Sequence, residues 1–289
     1  MTKWTLGAIG ALGALLVTAP AHGAEPATHG AQLRWDDAWP RFRVSEAVVT
    51  TVAAAGLVTL YVTKGVAPTW GRPVLFDGAM RRSFKYDSEA ERDFWQQSST
   101  WAYYTMIAYP LLIDGLAVPL ARRSPDVALQ MTLINLEVFA VTGFVFRVSE
   151  TLLRRARPYV WDCMEATGNV EQCREHGASG TTSLVSGHVA LAAAGAAVTC
   201  THHANLSLYG SPAADAAACA VGIAVTTGVG VGRLIADNHY TTDILAGALV
   251  GGATGYLIPK LLHYRSPKLG TPAPRASAHS IGIDWVGLF

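Results

Sequence analysis

Three short segments of the chain hold residue types suited to moving a phosphoryl group. Arg154, Arg155, Arg157 and Pro158 lie in RRARPY. Ser186, Gly187 and His188 lie in SLVSGHVA, and Arg233, His239 and Asp243 in GRLIADNHYTTD. Arginine offers a planar fork of donors that grips phosphate oxygens in pairs. A Ser-Gly pair opening a helix leaves backbone N–H groups free at the positive end of the helix dipole, which makes an anion site. His239 and Asp243 are four residues apart; on a helix that spacing shares one face, so the carboxylate can hold one imidazole nitrogen and leave the other nucleophilic. His188, at the edge of the anion site, is suited to protonating a leaving oxygen. Together these residues point to phosphoryl transfer through a covalent histidine intermediate. Arginines Arg154, Arg157 and Arg233 with Ser186 and Gly187 would bind the phosphate, and neither a metal nor another cofactor is expected.

The elements that must position these residues are apolar. Of 289 residues 51% are hydrophobic and 15% charged, with 22 Lys+Arg against 21 Asp+Glu; soluble domains carry about 25% charged residues. That excludes a disordered chain and a nucleic-acid binder acting through a basic surface. Six apolar stretches cover residues 47–63, 94–121, 127–146, 189 to about 200, 216–232 and 244–259, interrupted by Asp114 and Glu137. Ala, Leu and Gly dominate them and period-two alternation is absent, so they read as helices. Most are close to the length that spans about 30 Å of hydrocarbon. The expectation is an all-α bundle of about six core helices over 44–263, transmembrane, with all three polar segments at helix boundaries and the active site at one end. Gly247, Gly251 and Gly255 form a stripe that lets helix backbones approach closely.

Residues 1–23, with Lys3 ahead of a long apolar run and small residues at 21 and 23, read as a signal peptide or an N-terminal anchor. Residues 24–43 form a lead segment. Residues 64–93 read as a loop with a short amphipathic helix, 122–126 as a tight turn and 158–186 as a long polar loop. The Pro/Ala/Ser-rich stretch 264–289 reads as a mobile tail. Cys163 and Cys173 suit a local disulfide in an oxidising compartment, while Cys200 and Cys219 fit either a second pair or small buried residues. His202–His203, the Gly228/Gly230/Gly232 run and the Asn205-Leu-Ser207 sequon have no supporting context and are assigned no function.

The order Arg-Pro, then Ser-Gly-His, then Arg-x5-His-x3-Asp resembles the type 2 phosphatidic acid phosphatase family, which includes lipid phosphatases, bacterial acid phosphatases and vanadium haloperoxidases. The resemblance implies that His239 is the nucleophile, Asp243 its orienting partner and His188 the general acid. It gives the phosphate to Arg157, Arg233 and Ser186–Gly187. Three positions depart from the pattern: Glu150 stands where the family has Lys, Val185 where it has Pro, and Gly232 where it has Ser. Glu150 lies four residues before Arg154 and is expected to pair with it, leaving Arg154 or Arg155 to supply the missing cation. Each motif alone has an ordinary explanation, such as a capping histidine or a snorkelling arginine; their joint order does not.

Family members in membranes have six spans with the motifs on the outer side, which implies an inner-membrane protein with its site facing the periplasm. The partners would be membrane lipids and a lipid or small phosphorylated substrate, with no nucleic acid. The alternatives are a soluble periplasmic non-specific acid phosphatase and a catalytically impaired membrane protein on the same scaffold.

Overall fold

A computed structural model describes residues 32–63, 66–174, 182–265, 271–277 and 280–286. The expected signal peptide or anchor at 1–23 lies outside the described residues. The helices are α1 (Val44–Val62), α2 (Asp77–Phe84), α3 (Glu89–Ala121), α4 (Pro125–Leu153), α5 (Pro158–Thr167), α6 (Gly187–Asn205), α7 (Pro212–Ile235) and α8 (Thr241–His263). The long ones alternate in direction, so the connecting residues 66–88, 154–174, 182–186 and 236–240 gather at one end. All three sequence motifs lie at that end, and α2 and α5 are its short helices.

The fold is the expected all-α bundle. Among the described residues five helices, α1, α3, α4, α7 and α8, are long and apolar enough to cross a membrane. Their outward faces expose Val48, Val52, Leu112, Leu129, Leu136, Val221 and Leu249. An apolar exterior of this extent is the surface of a bundle surrounded by lipid. The sixth long helix, α6, falls short of that apolarity because it meets protein instead of lipid. Its side chains Ala190, Ala192, Ala194, Val198, Thr199 and His202 are all buried among neighbouring helices.

Small residues set the closeness of that packing. A Cβ at Gly247 would lie 2.7 Å from the Ser186 carbonyl oxygen, and one at Gly251 would collide with the carbonyl of Ala190. The glycine stripe of α8 thus lies directly on the backbone of α6, the helix that opens with Ser186–Gly187. Gly251→Val is expected to force the two helices apart, at a cost of about 1–3 kcal/mol. Thermal unfolding in detergent checks this, with Gly252→Val as control, since nothing lies near a Cβ at Gly252.

The charged residues inside the apolar stretches find partners in the half of the bundle away from the motifs. Asp114 accepts from the Tyr209 hydroxyl at 2.8 Å and lies 3.3 Å from His203, whose other ring nitrogen is 2.6 Å from Asp215. Glu137 lies 3.0 Å from His263, and His202 bridges Tyr264 and Asn135 at 2.6 and 2.9 Å. The two histidines with no assigned function therefore close polar networks between helices, as buried polar groups must. Around Pro110, α3 widens into π-type turns over Tyr109–Ala117. Asn135 donates to the Pro110 carbonyl at 2.6 Å there. At the same end Trp35, Trp39 and Tyr264 form an aromatic cluster with centroids 4.9–5.3 Å apart, so residues 32–43 are packed onto the bundle.

Two disulfides are present, Cys163–Cys173 beside α5 and Cys200–Cys219 between α6 and α7. The stretch expected as a long polar loop contains α5, which begins at Pro158, a residue suited to the first helical position. Within the expected tail, Thr271–Ser277 pairs antiparallel with Ser280–Val286.

Candidate active site

The three motifs converge on His239, which is 3% exposed. His239 is not on the helix that carries Asp243. Tyr240 is the extended N-cap residue, α8 starts at Thr241, and Asp243 sits in its first turn. The carboxylate expected to hold the imidazole therefore stops 4.0 Å from Nδ1. The imidazole is held instead by the Ser183 carbonyl, 3.0 Å from Nδ1, with the Ser183 hydroxyl at 3.3 Å. Nδ1–H donating to that carbonyl leaves Nε2 with a free lone pair. Asp243 acts one step removed: one oxygen accepts from the Ser183 hydroxyl and from Tyr240 N–H at 2.9 Å. The other accepts from Arg155 at 2.7 Å.

The anion side of the site comes from three helix ends. Ser186 is the N-cap residue of α6, and Ala190 N–H makes the return bond to its carbonyl at 2.9 Å. The amides of Gly187 and His188 precede that bond and have no helix carbonyl to meet. The Ser186 hydroxyl is buried with no hydrogen-bond partner among the described residues. Gly187 is required by packing, because a Cβ there would be 2.6 Å from the Phe146 ring. Arg233, at the end of α7 and 3% exposed, donates one Nη to Thr100 at 2.6 Å, while its Nε is buried without a partner among the described residues. Arg157, the N-cap residue of α5, spends its Nε on the Thr182 carbonyl at 3.2 Å. His188 has its ring against Tyr103, centroids 4.6 Å apart.

Burial, followed by the positive charges of Arg157 and Arg233, holds the His239 imidazole well below its ordinary range. In the free protein it is therefore neutral through the acidic region in which an exposed histidine, at about 6.5, takes up a proton. If His239 is the nucleophile, the acid limb of kcat/KM is expected below that value. Arg157→Gln removes the leading positive neighbour and should move the limb upward. A pH–rate profile of both proteins checks the sign.

Two expectations about motif one are corrected. Arg154 is the left-handed C-cap of α4, at φ 49°, and its Nε donates 2.9 Å to the Ala67 carbonyl. It is turned to the loop after α1 and is not brought to His239. Glu150 does not pair with Arg154, because the helix ends before that residue and the αL turn takes its side chain off the face. Glu150 pairs instead with Arg147 at 2.8 Å, one turn back, and both are buried. The third departure has a packing cause: a Cβ at Gly232 would be 2.7 Å from that of Ser99 on α3, so a serine there would clash.

Ser183, Arg155, Asp77 and Thr242 complete the site and were not singled out for these places by sequence. Arg155 is fully buried and joins Asp77 to Asp243 with 2.7 Å bonds to each. Arg155 had a signal, as a cation beside Arg-Pro. Asp77, 78 residues earlier, had none.

Residues 132–267 match the family model described as the PAP2 superfamily. No curated protein and no solved structure matches the chain. That superfamily includes phosphatases, which supports a phosphoric ester hydrolase in general terms. The match takes in every motif residue from Arg157 to Asp243, and over this stretch the chain is similar to the PAP2 superfamily.

Proposed function

We propose that the protein is a metal-independent phosphatase that hydrolyses a phosphomonoester or diphosphate of a membrane amphiphile through a phosphohistidine at His239. The observation that carries the reading is the pair of buried donors without a partner among the described residues, beside a neutral imidazole: Arg233 Nε and Ser186 Oγ. Buried donors left unpaired cost about 1–3 kcal/mol each, a cost that an anion accepting from them would recover.

In this reading Nε2 of His239 attacks phosphorus while the Ser183 carbonyl keeps the proton on Nδ1. Arg157, Arg233, Ser186 and the amides of Gly187 and His188 meet the charge on the phosphoryl oxygens. Burial, then the charges of Arg233 and Arg157, lower the pKa of the His188 imidazole in the free protein. The bound phosphoryl anion offsets those charges, and the imidazolium so favoured gives its proton to the leaving oxygen as the bond breaks. A water molecule then attacks the phosphohistidine and returns a proton to His188, and phosphate departs. Asp243 orients the imidazole through Ser183.

A membrane amphiphile is favoured because the motifs lie at one end of a bundle with an apolar exterior. Phosphatidic acid, phosphatidylglycerol phosphate, undecaprenyl diphosphate and lipid A phosphates share the needed chemistry. A site facing the periplasm follows from the layout that the family resemblance implies, and the Cys163–Cys173 disulfide at the motif end is compatible with it. Phosphate release by detergent-solubilised protein in EDTA tests the proposal, with phosphatidic acid, undecaprenyl diphosphate and p-nitrophenyl phosphate side by side. Preference for a lipid supports it, equal use of p-nitrophenyl phosphate favours a non-specific acid phosphatase, and no release from any substrate contradicts it.

A further inference from the structure

Helix α2 lies outside the stretch that matches the family model, yet it fastens both sides of the turn carrying His239. Asp77 and Arg81 are one turn apart on it and so share a face. Asp77, fully buried, accepts from Thr242 N–H at 2.9 Å, from the Thr242 hydroxyl at 2.8 Å, from Val74 N–H at 3.1 Å and from Arg155 at 2.7 Å. Thr242 adjoins Asp243 in the first turn of α8, so Asp77 caps the helix that carries the orienting carboxylate. Arg81 reaches the other side of the turn and grips Asp237 with two 2.6 Å bonds, while binding Asp162 of α5 at 2.6 and 2.8 Å.

Arg155 is the relay. Its guanidinium lies between the rings of Trp70 and Tyr240, at 5.0 and 4.2 Å, and donates to Asp77, Asp243, Thr242 and the Arg72 carbonyl. A buried cation between two carboxylates is held by both, and losing one leaves the other to take up the imbalance. We propose that Asp77 is a positioning residue for the nucleophile: through Arg155 and the start of α8 it fixes Asp243, and through Ser183 it fixes the imidazole of His239. The inference rests on the phosphatase reading of this site. It adds that the segment between α1 and α3 is part of the active site and not a simple connection.

Asp77 touches none of the groups assigned to the phosphate, so its loss should act on turnover and spare binding. In full-length protein in detergent, Asp77→Asn keeps the shape and an acceptor for Thr242 but removes the charge facing Arg155. Its kcat on p-nitrophenyl phosphate is expected to fall about 10–100-fold, as small misplacements of reacting groups do, with KM and inhibition by inorganic phosphate within about threefold. Asp77→Asn added to Arg155→Met should cost no more than about twofold further. A folded Asp77→Asn protein with kcat within twofold of wild type, or multiplicative losses in the double variant, would overturn the proposal.

If Asp77→Asn does not fold, Thr242→Val serves. It removes the hydroxyl bonded by both Asp77 and Arg155, and the same split between kcat and KM is required of it. If wild-type protein releases no phosphate at all, the phosphatase reading fails and positioning is judged from the imidazole itself. Modification of His239 by diethyl pyrocarbonate should then change severalfold in Asp77→Asn while that of His188 does not; equal rates for His239 would refute positioning.

Discussion

His239→Ala is expected to remove phosphate release to background, a loss of about 10⁴-fold or more, because it deletes the nitrogen that forms the covalent bond in the proposed mechanism. His239 is buried among motif residues and its Nδ1 is already engaged by Ser183, so only Nε2 is free to react. His188 is no substitute nucleophile: it belongs to the first turn of α6, with its ring against Tyr103. The substitution removes an imidazole without touching Arg233 or Ser186, so binding of inorganic phosphate should weaken much less than turnover. Release assays and protection by inorganic phosphate in thermal melts distinguish the two effects. Turnover retained in the variant would exclude His239 as nucleophile.

Glu150→Lys is expected to destabilise the protein and not to raise its activity. From the family pattern alone, restoring a lysine there looks like a gain of phosphate-binding charge. In the fold, Glu150 is the partner of buried Arg147, which also donates to the Leu60 carbonyl at 3.2 and 3.3 Å and lies over the Tyr61 ring. Breaking a buried pair by removing one partner costs about 3–5 kcal/mol, and a lysine would add repulsion. A lower melting temperature with no rise in kcat/KM is the expected result. Glu150→Gln, which can still accept from Arg147, should lose less. Higher activity at unchanged stability would show that position 150 is free to serve the phosphate.

Much of the bundle was legible because hydrophobicity and small-residue spacing are local signals. The six apolar stretches correspond to the six long helices, and the stripe Gly247, Gly251 and Gly255 foretold a close contact that proves to be with α6. The motif residues were legible as types and order, but their contacts were not. The spacing of His239 and Asp243 implied a shared helical face, whereas the helix starts between them at Thr241. Glu150 and Arg154 had the right separation for a pair, but the helix ends first and Arg147 takes the carboxylate. Asp77 carried no local signal at all, since its role depends on a loop folding back over the motif end. Periodicity along one helix cannot report contacts made by loops and helix ends.

The central claim is a covalent phosphohistidine on His239. The most direct test is rapid acid-free quenching of the full-length protein with ³²P-labelled phosphatidic acid in EDTA, followed by peptide mapping. The account predicts a label that is acid-labile and alkali-stable, carried by the peptide containing His239 and absent from the His239→Ala protein. Phosphate release with no label in the wild type at any quench time, or label on another residue, would contradict it.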